Sequence, residues 1–123
     1  MSREKGNAIF VTIMVLGLML HSNLAHGMTY TVGDSRGWDF DVAGWENGKK
    51  FHSGDTLVFK YSEGAHNVVV VNKSDYDSCN VPDNATTFSS GNDKVKLRKG
   101  PIYFICGIPG HCDAGMKIAI NAA

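Results

Sequence analysis

The segment Cys106-Gly-Ile-Pro-Gly-His111-Cys112-Asp-Ala-Gly-Met116 sets a thiol, an imidazole and a thioether at two equal steps of five residues. Its Gly and Pro residues make the intervening chain a turn-rich loop. A second imidazole, His66, stands forty residues upstream of Cys106, just ahead of the apolar run Val68-Val69-Val70-Val71. Two imidazoles and a thiolate bind both oxidation states of copper, and a weak thioether tunes the potential without imposing a rigid geometry. The chemistry expected of His66, Cys106, His111 and Met116 is therefore a type 1 copper site that cycles one electron. Taken singly, each residue has a plainer reading. A His before a β-branched run is usually a part-buried His, and a lone Met is usually core. Their joint occurrence with an unpaired Cys favours the metal.

Rival chemistries fit less well. A structural zinc site wants four strong ligands at short paired spacings, and Met is a poor zinc ligand. A Cys–His hydrolase could use Cys106 as nucleophile with His66 or His111 as base. No oxyanion motif accompanies them, and a following Met has no role in acyl transfer, so no enzymatic activity is expected. A metal-free cell-surface binding module would not require all four candidate ligands together. His52 has no such partners and reads as a surface His, while Trp38 and Trp45 read as packing residues. Asn67, next to His66, carries an amide able to hydrogen-bond the thiolate sulfur and hold the loop. A simple strand-start role serves it equally well.

Such a site needs a rigid frame. Thr29–Val32, Thr56–Tyr61, His66–Asn72, Asp93–Arg98, Ile102–Ile105 and Met116–Ile120 read as strands, separated by turn clusters such as Ser53-Gly-Asp55 and Lys99-Gly-Pro101. The uninterrupted run after His66 is expected to be buried on both faces. Asp75–Ser90 is polar, with one helical turn near Tyr76. No segment sustains helical periodicity, so the expected fold class is an all-β sandwich. Cys106, His111 and Met116 then share one loop between two strands, and His66 ties it to a neighbouring strand.

The start of the chain reads as processing rather than fold. Arg3 and Lys5 precede an apolar stretch from Ala8 to Leu20, and Ala25-His-Gly27 supplies small residues at the positions a signal peptidase reads. Residues 1–27 are thus expected to be a signal peptide and residues 28–123 a single domain. The apolar stretch is short for a membrane span, and the C-terminal Ile118-Ala-Ile-Asn-Ala-Ala123 is no glycolipid-anchor signal. The mature 96 residues carry ten basic and eleven acidic side chains. That balance gives no reason to expect nucleic acid or an anionic membrane as partner. A secreted domain of this size builds a modest core and gains from a disulfide. Cys79, Cys106 and Cys112 allow three pairings. Cys79–Cys112 closes the longer loop and leaves Cys106 free, while a local Cys106–Cys112 bridge remains open. Asn72 and Asn84 both lie in N-glycosylation tripeptides. A small closed sandwich needs no second copy, so a monomer is expected.

Together these motifs resemble the phytocyanins, the plant branch of the cupredoxins, and most of all their plantacyanin, or basic blue protein, subgroup. The resemblance covers Met28 to Ala123. It rests on Tyr30-Thr-Val-Gly33, Gly37-Trp38, Phe51-His-Ser-Gly-Asp55, His66-Asn-Val-Val-Val70, Cys79, Tyr103-Phe-Ile-Cys106, Pro109-Gly-His-Cys112 and Gly115-Met-Lys-Ile118. It implies a Greek-key β-sandwich, one copper ion held by His66, Cys106, His111 and Met116, and a Cys79–Cys112 disulfide. Met116 sets the chain apart from stellacyanin-like members, which carry Gln there. The family further implies a secreted protein of the extracellular matrix or cell wall, with ligand imidazoles near solvent and a small-molecule or extracellular-protein redox partner. Signalling or guidance in plant reproductive tissue is the alternative role it implies. The near-neutral charge departs from the basic character in the subgroup's name.

Overall fold

The computed structural model describes residues 27–123. The expected leader lies outside that range except for Gly27, as do His21 and His26. In chain order the strands are β1 (Thr29–Thr31), β2 (Thr56–Lys60), β3 (Val68–Val71), β4 (Thr87–Phe88), β5 (Asn92–Lys96), β6 (Gly100–Ile105) and β7 (Lys117–Ala122). One short helix, α1 (Lys73–Ser78), follows β3. Three strands form one sheet in the order β1-β2-β5, with β1 parallel and β5 antiparallel to β2. The other four form an antiparallel sheet in the order β4-β3-β6-β7. This is the all-β sandwich that the strand pattern predicts, consistent with the fold that the family resemblance implies.

Period-two alternation explains how the sheets meet. Leu57 and Phe59 of β2 face Ile102 and Phe104 of β6 and Ile118 and Ile120 of β7 in the main core. Trp38 closes it edge-on against Phe59, with ring centroids 5.0 Å apart. Burying each of these large side chains contributes about 1.5–3 kcal/mol. The odd positions of β3 and β6 point the other way: Val69, Val71 and Ile105 form a second cluster with Cys112, Tyr76 and Tyr103. Helix α1 and the disulfide Cys79–Cys112 cover that face. The β-branched run is therefore buried on both sides, as expected.

Helix α1 is longer than the single turn predicted. Asn72 caps it by accepting the Asp75 N–H at 2.8 Å, and Cys79 ends it in the left-handed region at φ 55°. Strand β6 starts two residues before the predicted Ile102 and contains Pro101. The sheet tolerates this because β3 pairs β6 only from Tyr103 onward, so the missing Pro101 N–H has no strand to serve. The two-residue β4 has no alternation to announce it in the sequence.

Candidate metal centre

Strand alternation aims the candidate ligands. On β6, Ile102 and Phe104 face the core, and Cys106 is the next position on that face. Met116 stands two residues before Ile118 and four before Ile120 on β7, with the same result. Both are fully buried. His66 stands two residues before Val68, which also faces the main core. Three strand ends thus deliver three side chains to one end of the sandwich.

His111 comes from the loop between β6 and β7, which is held by its own backbone. Cys106 N–H donates to the Met116 carbonyl at 3.0 Å, closing the loop at its base. His111 N–H donates to Ile108 O at 3.0 Å, and Met116 N–H donates to His111 O at 3.2 Å. These bonds fold the loop back, close the Cys106 and Met116 backbones on each other and bring His111 to Cys106.

The result is a compact donor group. His66 Nδ1 lies 3.0 Å from His111 Nδ1, and Cys106 Sγ lies 3.6 Å from His111 Nδ1. One donor atom from each of His66, Cys106 and His111 falls within 4.8 Å of the others. Two imidazole nitrogens facing each other beside a sulfur put lone pairs in mutual repulsion unless a proton or cation stands between them. A soft sulfur with two imidazoles suits copper, and no carboxylate joins the group among the described residues. The donor set therefore fits a copper ion. Burial, and then the neighbouring His111, lower the His66 pKa, with Asp39 opposing in part. That direction favours the neutral imidazole a metal requires.

A strap ahead of β2 brackets the group. Trp38 Nε1–H donates to Asn67 O at 2.8 Å, beside His66. Asp41 N–H donates to Ala114 O at 3.0 Å and Ala43 N–H to Gly115 O at 2.9 Å, beside Met116. Between these anchors Phe40 lies edge-on to both imidazoles, its ring centroid 5.3 Å from His66 and 4.7 Å from His111. Asp39 Oδ1 accepts the Phe40 N–H at 2.8 Å and stands 4.0 Å from His66 Nε2. Sequence reasoning missed Phe40 and Asp39, because no spacing links residue 40 to residues 66 and 111.

Other predicted residues fall as follows. Asn67 ties the two ligand segments: its Oδ1 accepts the Gly107 N–H at 2.6 Å. Gly107 is needed there, since a Cβ would meet Val69 Cγ2 at 2.8 Å. Cys106 is the free thiol, and Cys79–Cys112 clamps the residue next to His111. The open local bridge is not formed. Trp38 is core, and Trp45 is a part-buried packing residue whose indole N–H has no hydrogen-bond partner among the described residues. His52 is an exposed side chain, as expected. Asn72 and Asn84 are both exposed.

Comparison with known proteins agrees with this architecture. The model of the plastocyanin-like domain matches residues 36–116. The basic blue protein of Cucumis sativus is 53% identical over 93 residues, covering 76% of this chain and 97% of that protein. The chemocyanin of Lilium longiflorum is 44% identical over 116 residues, covering 94% and 92%. Among solved structures, cucumber basic protein, a blue copper protein, superposes with a TM-score of 0.76 at 52% identity, covering 77% of this chain and 99% of that one. Spinach plantacyanin gives 0.69 at 55% identity over 77% and 99%. The sandwich and its His–Cys cluster define a blue copper protein, with one copper ion as cofactor. The chain belongs to the phytocyanin branch of the plastocyanin-like family, beside the basic blue proteins. Among the described residues no helix is long and apolar enough to cross a membrane.

Proposed function

We propose that this protein is a secreted single-electron carrier, and not an enzyme, whose copper is held by His66, Cys106, His111 and Met116. The observation that carries the reading is the convergence of two imidazole Nδ1 atoms and one buried, unpaired thiol within 4.8 Å. Copper bound there supplies a reversible one-electron couple. The chain's own residues do the rest. The two sheets and the disulfide hold the donors at fixed spacing, so little reorganisation accompanies a change of charge. Apolar packing around Cys106 and Met116 excludes water. With Nδ1 turned inward, each imidazole carries its proton on Nε2, and Phe40 covers both rings while remaining 41% exposed. A small-molecule or extracellular-protein partner approaches by that edge.

Residues 1–27 serve as the secretion signal and residues 28–123 as the mature, monomeric domain of the apoplast. Both sequons are open to glycosylation on the exposed Asn72 and Asn84.

Adding Cu(II) to the mature protein is expected to give an intense blue thiolate-to-copper band and narrow copper hyperfine splitting in the paramagnetic resonance spectrum. Cys106→Ala and His66→Ala should each abolish that band while the Cys79–Cys112 bridge still forms. Retention of the colour in either variant would sink the ligand assignment. A signalling role in reproductive tissue, the alternative implied by the family resemblance, predicts guidance activity that survives Cys106→Ala.

A further inference from the structure

A buried carboxylate at the head of β2 has no Lys or Arg counter-ion among the described residues. Asp55 follows the turn before β2 and is 1% exposed. Its Oδ1 accepts the Met28 N–H and its Oδ2 accepts the His52 N–H, each at 2.8 Å. Both donors are backbone amides. The nearest side-chain base is His52 Nδ1 at 3.9 Å, on a ring 65% exposed and charged only when protonated. Among the described residues no Lys or Arg pairs with Asp55. A carboxylate buried without a cation costs free energy.

The surrounding backbone holds Met28 in place. Thr56 N–H donates to Met28 O at 2.8 Å, Leu97 N–H donates to Asp55 O at 2.7 Å, and Thr29 pairs with Thr56 at the start of β1. Gly27 stands against the same turn at φ +82°, where a Cβ would lie 2.5 Å from Gly54 O. Only glycine fits that approach.

We propose that Asp55 is the binding site for the N-terminus created when the leader is removed. The inference rests on the reading of residues 1–27 as a signal peptide cleaved after Gly27. Hydrolysis of the Gly27–Met28 bond adds one water: Gly27 leaves as a carboxylate, and the Met28 nitrogen becomes an amine. An α-amine with an ordinary pKa of about 8 takes up a proton at neutral pH. The nitrogen that was a neutral amide at 2.8 Å from Asp55 is then an ammonium. Cleavage thus supplies the missing cation and removes the crowded glycine in one step. The ion pair locks β1 to the head of β2, so the mature chain is more stable than its precursor.

The test is a double-mutant cycle on copper-loaded protein beginning at Met28, with the α-amine free or acetylated, in the native and Asp55→Asn backgrounds. Acetylation restores the neutral amide of the precursor. With Asp55 present, it should raise the unfolding equilibrium constant about tenfold and lower Tm by about 5 °C. In D55N the change should be less than about twofold. The free α-amine should also titrate above its ordinary range with Asp55 present and return to it in D55N. An equal acetylation cost in both backgrounds, or none in either, overturns the proposal. If D55N does not fold, the α-amine titration of the native protein decides alone. An ordinary pKa there overturns the ion pair. Mass spectrometry of the secreted chain tests the leader separately: a start other than Met28 refutes the cleavage reading, whatever the cycle shows.

Discussion

At the scale of single residues, the site depends on two residues that lie outside its donor group, Gly107 and Phe40. Gly107 follows Cys106 and has no room for a methyl group: Val69 Cγ2 and the Asn67 amide stand at 2.8 and 3.2 Å from the position of a Cβ. Gly107→Ala is expected to cost about 1–3 kcal/mol by overpacking, and to loosen the Asn67 bond that couples the His66 and Cys106 segments. Thermal unfolding of the copper-loaded variant checks this. Phe40 acts differently. Its ring shields both imidazoles yet is half in solvent, so Phe40→Ala should change stability by about 1 kcal/mol or less. Water would then reach the imidazole edges and favour the more highly charged oxidised ion, so the reduction potential should fall while the blue band persists. Voltammetry of the two proteins reads the shift. Both residues escaped sequence reasoning for a common reason: their importance lies in contacts to segments 26 to 71 positions away.

Elements carry the next level of organisation. The ligand loop is clamped from below by the Cys106–Met116 backbone bond and from the side by Cys79–Cys112. The disulfide spans 33 residues, so its loss should destabilise the domain by about 2–4 kcal/mol. Replacing both Cys79 and Cys112 with Ser is expected to lower Tm without removing the copper band at room temperature, because the strand ends still aim Cys106 and Met116. Loss of the band at temperatures where the domain remains folded would show that the clamp, and not the strands, holds the site. Much of this frame was legible. The steps 66-68, 102-104-106 and 116-118-120 are period-two positions that share one face of a sheet, and they can be counted in the sequence. What could not be counted is which strands neighbour one another. The start of β6 at Gly100, the pairing of β4 with β3 and the full length of α1 all follow from partners distant in the chain.

The whole molecule joins the metal end of the sandwich to a small polar network on its flank. Tyr61, after β2, donates its hydroxyl to the carboxylate of Asp93 on β5, which also accepts from Ser90. Burial, then the bond to Asp93, push the Tyr61 pKa up to about 12 from 10. Burial raises Tyr76 in the same direction. Between pH 10 and 12 the unfolded chain loses the Tyr61 proton first, so the native state binds more protons and stability falls as pH rises. Denaturant midpoints measured from pH 9 to 12 should decline beyond pH 10, and Tyr61→Phe should flatten that decline. An unchanged slope in the variant would remove Tyr61 as the cause.

Residue types and local spacing settle much of this protein before any folding is considered. The donor set, the alternation of the strands and the turn chemistry between them are properties of neighbours in the chain, governed by local sterics and by the chemistry of single side chains. The choice among three cysteine pairings, the approach of His66 across forty residues, the strap that lays Phe40 over two imidazoles and the isolation of the Asp55 charge are different in kind. They depend on how two sheets pack around one core, and burial is a property of the assembled whole that no local window of sequence contains.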